Sequence, residues 1–252
     1  MPAIEVQDIW KRYNVGLVPS LWSWVPGVGS RRGGGKAASE AGDFWALKGI
    51  DFTVEQGSAL GVIGRNGAGK TTLLSVLCGV TQATRGRVSV RGRVAPLIAL
   101  GAGFQPELTG RENIYLNAVI MGMSRAEVKR KFDSILDFAE LEQFIDTPVK
   151  KYSSGMVVRL GFAVAAHLEP DVLLVDEVLS VGDVAFQSKC LDQIRELRRE
   201  GVTLVLVSHN MTLVESAVDR CLLLDHGTPL LLGDPQEAIA WYNLGAKPTE
   251  TQ

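Results

Sequence analysis

The residues Gly64-Arg65-Asn66-Gly67-Ala68-Gly69-Lys70-Thr71 carry the most specific chemistry in the chain. Their small side chains let backbone N–H groups wrap a phosphate at a helix N-terminus, where the peptide dipoles favour negative charge. Lys70 adds a cation for the β- and γ-phosphates of a nucleoside triphosphate, and the Thr71 hydroxyl suits Mg²⁺. Thr72 completes the turn. The bland alternative is a Gly-rich strand–helix turn with a surface lysine, but an apolar run before the loop and a helical pattern after it argue against that. A second centre is Asp171-Val172-Leu173-Leu174-Val175-Asp176-Glu177. An apolar strand there delivers Asp176 to its C-terminal end, where open α/β sheets bind ligands. Asp176 is placed to hold Mg²⁺ through water, and Glu177 to orient and deprotonate an attacking water. An Asp-Glu pair alone reads equally well as a solvated strand end; the phosphate loop earlier in the chain makes that the minor reading. A third is Tyr152-Ser153-Ser154-Gly155-Met156, ahead of an apolar helix. Taken alone it is an ordinary N-cap, yet its free N–H groups and hydroxyls also suit an anion. One polypeptide cannot easily bring two helix N-termini to one triphosphate, whereas two facing copies can.

The elements that must position these residues are legible in the same pattern. Ile4–Tyr13 and Ala46–Val54 read as strands, and Ala59–Ile63 as a short buried one leading into the phosphate loop. A helix follows over Lys70–Cys78, closed by Gly79. Ser124 and Glu127 form a capping box, with Phe132, Ile135, Leu136 and Ala139 on one face of the helix behind it. Asp183 caps another helix, on which Phe186, Cys190, Ile194 and Leu197 recur at helical spacing. Strands Val172–Val175 and Val202–Val207 flank that helix as a parallel crossover unit. Cys221–Leu224, the turn Asp225-His226-Gly227 and Leu230–Leu232 form a hairpin. The fold class is α/β. Between the first two strands, Asn14–Trp45 is an insertion rich in Gly, Trp and basic residues; its Trp22/Trp24 stretch suits a short amphipathic helix.

Composition narrows the setting. The chain has 252 residues, 46% of them hydrophobic, and a formal net charge of −2. That balance gives no reason to expect nucleic-acid binding, and the apolar share argues against a disordered chain. No apolar run is long enough to span a bilayer, and Met1–Glu5 lacks a secretory pattern. Cys78, Cys190 and Cys221 sit among apolar neighbours with no metal spacing, as buried free thiols of a reducing compartment. No zinc is expected. His167, near a helix C-terminus, reads as a cation complementing the dipole.

The order of phosphate loop, Ser-Ser-Gly motif, Asp-Glu strand and His209-ended strand resembles the ATP-binding subunits of ABC transporters. The resemblance implies a P-loop NTPase fold with a RecA-like core, an antiparallel β subdomain and a helical subdomain over about 106–165. One ABC domain covers 1–245, with 14–45 as a family-specific insertion, a tail at 246–252 and no C-terminal carbohydrate-binding domain. It implies that Tyr13 stacks on adenine, with Trp45 as a rival platform, and that Gln105 senses Mg²⁺. Ser153, Ser154 and Gly155 are implied to contact the γ-phosphate held by a second copy. In the same way, Ser180-Val181-Gly182-Asp183 crosses the dimer interface and His209 contacts the γ-phosphate. Ser154 and Met156 depart from the family's usual Gly and Gln. Tyr152–Met156, Leu100–Asn113 and Asp176–Asp183 together are similar to the Wzt-type ATPases of polysaccharide exporters. The implied activity is ATP hydrolysis with Mg²⁺ at the cytoplasmic face of the inner membrane, by two copies bound to two copies of a polytopic permease. The implied cargo is a lipid-linked O-antigen-like polysaccharide, with teichoic acid or capsule as the alternative. A soluble P-loop kinase is the rival from another class.

Overall fold

Each strand that feeds the candidate site buries both of its faces, and this sets the architecture. The structure is a computed structural model that describes residues 1–14, 43–97, 101, 103–176 and 183–245. Its strands are β1 (Pro2–Asn14), β2 (Asp43–Glu55), β3 (Ala59–Gly64), β4 (Arg85–Val90), β5 (Val94–Leu97), β6 (Val172–Val175), β7 (Thr203–Val207), β8 (Arg220–Asp225) and β9 (Thr228–Gly233). The helices are α1 (Lys70–Leu77), α2 (Gly110–Ile120), α3 (Arg125–Ala139), α4 (Ser154–Ala166), α5 (Val184–Arg199), α6 (Met211–Ala217) and α7 (Pro235–Leu244). A three-stranded antiparallel sheet runs β2-β1-β4, and a six-stranded sheet runs β5-β6-β7-β3-β8-β9. In the larger sheet every neighbouring pair is parallel except the β8–β9 hairpin.

Side chains alternate across the large sheet as the period of two demands. Leu60, Val62, Val172, Leu174, Val205, Val207, Leu222 and Leu224 face one core, shared with α1 and the antiparallel sheet. Ile63, Leu173, Val175, Leu204, Leu206, Cys221 and Leu223 face the other, beneath the remaining helices. Strands covered on both sides read as continuous apolar runs, which is why they were plain in the sequence. The expected α/β class, antiparallel subdomain and helical subdomain are all present. That subdomain is built from α2, α3 and α4, which pack on one another, and α4 also meets β5 and α5.

Three expectations need correction. Cys78, the C-cap of α1, packs against the core but is only half-buried there; Cys190 and Cys221 are buried. His167 does lie at the helix end, as the C-cap of α4, but its surroundings disfavour a cation there. Burial lowers its pKa, Nδ1 lies 2.7 Å from the Ala163 carbonyl oxygen, and its ring packs edge-on against Phe138. The expected strands are also longer at the hairpin of β1 and β2, so Asp43–Trp45 is strand rather than insertion. Trp22 and Trp24 lie outside the described residues. No helix among the described residues is long and apolar enough to cross a membrane.

Candidate functional site

Three neighbouring parallel strands bring the candidate residues to one edge. Strand β7 lies between β6 and β3, with Val175 level with Leu206 and Val62 level with Val207. All three strands run the same way. The residues just past their C-terminal ends, Asp176 after β6, His209 after β7 and the phosphate loop after β3, therefore emerge side by side. This is the crevice at which open α/β sheets take ligands.

The loop from Gly64 to Gly69 is wedged between two backbones. A Cβ on Gly64 would lie 2.4 Å from the Leu224 carbonyl oxygen, and one on Gly69 2.6 Å from that of Ala46. Ala68 N–H donates to Arg65 O at 3.0 Å, and Gly227 N–H to Ala68 O at 3.0 Å. Gly69, at φ +103, is the N-cap of α1 and makes no side-chain cap, so the first N–H groups of α1 point into the loop. Arg65, Asn66 and Gly67 are exposed around the rim, and Thr72 is half-buried behind them. Lys70 is only 8% exposed. Its Nζ donates to Gly64 O at 2.8 Å and Arg65 O at 3.3 Å, which holds the ammonium across the mouth of the loop. Thr71 Oγ1 lies 3.5 Å from Asp176 Oδ2. A hydroxyl and a carboxylate at that separation form a hard-oxygen pair of the kind Mg²⁺ prefers.

The other predicted residues are spread around this centre. Tyr13 is exposed at the end of β1, with Lys11 Nζ 5.0 Å from its ring centroid. The Trp45 ring is already engaged: Trp10 packs on it edge-on at 5.6 Å, and the guanidinium groups of Arg12 and Arg85 each lie 5.7 Å from it. Gln105 is exposed in the turn before α2, and its backbone is held by a buried residue the sequence reading passed over. Asn113 accepts from Gln105 N–H at 2.8 Å and donates to Gln105 O, Leu108 O and Thr109 O at 3.0, 3.1 and 3.0 Å. The sequence held no clear signal for it, since a second asparagine, Asn117, is buried one turn on along the same face of α2. Ser153 is the N-cap of α4, accepting from Met156 N–H at 3.2 Å; Ser153 and Ser154 are exposed and Gly155 is half-buried. His209 is exposed ahead of Asn210, the N-cap of α6. Asp183 caps α5, accepting from Phe186 N–H at 2.9 Å. Glu177, Ser180 and Gly182 lie outside the described residues.

A sequence profile of the ABC transporter family matches residues 47–180. The chain belongs to that family. Among its relatives, the O-antigen export system ATP-binding protein RfbB of Klebsiella pneumoniae is 49% identical over 199 residues, spanning 79% of this chain and 81% of that protein. The teichoic acids export ATP-binding protein TagH of Lactococcus lactis is 46% identical over 200 residues, 79% of this chain and 43% of that protein. A solved dimeric ATP-binding cassette in a post-hydrolysis state, bound to ADP and Pi, superposes with a TM-score of 0.72 at 20% identity. It covers 92% of this chain and 98% of the other. The cassette fold thus extends over 92% of the chain, and this ABC chain is an ATPase.

Proposed function

We propose that this ABC chain is the ATP-hydrolysing subunit of an exporter that moves a lipid-linked, O-antigen-like polysaccharide across the cytoplasmic membrane. The observation that carries the catalytic half is the convergence of the phosphate loop, Asp176 and His209 at the ends of three adjacent parallel strands. The cargo half rests on the relatives, which are named for O-antigen and teichoic acid export.

Within the site, the loop N–H groups from Gly64 to Thr72 and the Lys70 ammonium hold the β- and γ-phosphates, and Tyr13 offers its exposed ring to adenine. The separation of Thr71 and Asp176 suits Mg²⁺, held also by Gln105; when bound, the ion neutralises charge on the transferring phosphoryl group. Glu177 orients and deprotonates the attacking water, and His209 contacts the γ-phosphate. Ser153, Ser154 and Gly155, at the start of α4, complete the site of a second copy facing this one, with Ser180, Gly182 and Asp183 along the shared interface. A polytopic permease supplies the membrane path. The test pairs two substitutions. Glu177→Gln is expected to bind ATP, hydrolyse it at least about a hundredfold more slowly and accumulate as an ATP-bound dimer on gel filtration. Ser153→Arg is expected to abolish hydrolysis while leaving nucleotide binding to the loop. Normal turnover by either variant overturns the corresponding role. Surface polymer at normal levels in cells lacking the chain overturns the cargo.

A further inference from the structure

A chain of four charged side chains, Asp183–Arg159–Glu140–Lys189, joins the helical subdomain to α5. Arg159, in α4, donates to Asp183 and, through its other terminal nitrogen, to Glu140 at 2.8 Å. Glu140 uses its second oxygen to accept from Lys189 at 2.9 Å. Asp183 and Lys189 both belong to the start of α5, so the chain of charges begins and ends on the same element. Each oxygen has a separate task. Asp183 Oδ1 caps α5 by accepting from Phe186 N–H, while Oδ2 takes Arg159. Three aromatic rings floor the chain of charges. Phe138 and Phe186 each pack on Phe162, with centroids 5.7 and 6.1 Å apart. The Arg159 guanidinium lies 4.9 Å from the Phe186 centroid and Lys189 Nζ 4.7 Å from that of Phe138. Arg159 is the least exposed of the four charges, at 19%.

The backbone at Glu140 argues that this arrangement is used. Glu140 is the C-cap of α3 at φ +57 and ψ +46, a left-handed position at which helices usually place glycine. A side chain there costs about 1 kcal/mol of backbone strain, and here it supplies the carboxylate that bridges Arg159 and Lys189. The ionised state is favoured at both acids. Lys189 and then Arg159 hold the Glu140 carboxyl below its ordinary value, and the Phe186 N–H and then Arg159 do the same for Asp183.

We infer that Arg159 is a positioning residue for ATP hydrolysis: it locks α4, the helix that begins at the serine–glycine turn, to Asp183 at the N-terminus of α5. Arg159 lies five residues past Ser154, about 8 Å along the same helix. The half-site this chain offers to a second copy and the Asp183 end of α5, on the shared interface proposed above, are thereby held as one body. This rests on the paired-copy reading above.

The test compares Arg159→Met, Arg159→Lys, Asp183→Asn and the Arg159→Met/Asp183→Asn double variant. Asparagine keeps one oxygen for the α5 cap and replaces the other, which accepts from Arg159, with an uncharged amide nitrogen that cannot accept. Turnover and KM for MgATP are measured across protein concentration, with binding of a fluorescent ATP analogue to the isolated chain as the second readout. Arg159→Met and Asp183→Asn are each expected to lower kcat by about tenfold with analogue affinity unchanged, and the double variant to be no slower than the worse single. Arg159→Lys, which keeps the charge but not the two-pronged geometry, recovers part of the loss. Losses that multiply in the double variant, or wild-type kcat in Arg159→Met, overturn the inference. Should Arg159→Met not fold, wild-type kcat in Asp183→Asn does the same. Wild-type turnover strictly proportional to protein concentration at all dilutions sinks the paired-copy reading instead.

Discussion

Gly69 stands at φ +103 immediately before α1, with the Ala46 carbonyl oxygen 2.6 Å and a Leu47 methyl carbon 3.0 Å from the place a Cβ would take. Gly67, two residues earlier, is also left-handed, at φ +81, but faces open space. Alanine at either position meets a torsional cost of about 1–2 kcal/mol, and at position 69 it must in addition push β2 away. Gly69→Ala is therefore expected to lower ATP affinity by more than tenfold and to reduce the melting temperature, while Gly67→Ala does much less of both. Titration of a fluorescent ATP analogue and a thermal scan check this; equal effects at the two positions would show that the loop is not wedged. The phosphate loop was legible in the sequence because one local turn dictates every residue in it. Asp176 was legible because a short apolar run ends there. Arg159 was not, since its partners lie 19 and 24 residues away in the sequence and only the packing of α3 and α5 beside α4 brings them together. The surroundings of Trp45 were equally closed to the sequence, which does not reveal that Trp10, Arg12 and Arg85 lie against its ring.

Helix starts were the most readable elements, and they follow side-chain hydrogen bonds that can be tested singly. Ser124 Oγ accepts from Glu127 N–H at 3.2 Å, while Glu127 accepts in return from Ser124 N–H at 2.7 Å. Ser124→Ala removes one of these bonds and is expected to cost about 1 kcal/mol, a fall of about 2–4 °C in melting temperature for a chain of this size. Denaturant unfolding gives the same quantity directly. A loss below a few tenths of a kcal/mol would mean that packing of Val128, Phe132, Ile135 and Ala139 fixes α3 without its cap. The same signature at Thr109 and Glu112 starts α2, with Gly110 at its first position. The structure supplies the reason for that glycine: a Cβ there would lie 2.2 Å from the Tyr152 hydroxyl. Strands β4 and β5 were missed. The first half of β4 is exposed, and β5 is a four-residue edge strand containing Pro96, so neither presents a clear alternation.

At the scale of the whole molecule, the two cores on either face of the six-stranded sheet decide how the chain opens, and its thiols report on one of them. Cys221 in β8 and Cys190 in α5 belong to the same buried cluster, whereas Cys78 at the end of α1 is half-exposed. Burial pushes the Cys190 and Cys221 thiols up to about 12 and raises that of Cys78 as well. A folded-state value above the unfolded one favours folding fully below the unfolded value. That contribution is lost as pH rises from the ordinary thiol value of 9.0 toward 12. Stability is therefore expected to decline above about pH 9, and less so in a Cys190→Ala/Cys221→Ala variant once its cavity cost is subtracted. At pH 8 a thiol reagent is expected to label Cys78 quickly and the other two only through opening of the fold. Because Cys190 and Cys221 share one continuous core across α5, β7 and β8, their labelling rates should match and rise together with denaturant. Mass spectrometry of the partly labelled chain separates the sites. Faster labelling of Cys190 than of Cys221 would show that α5 comes away from the sheet by itself, and this core would then not unfold as one unit.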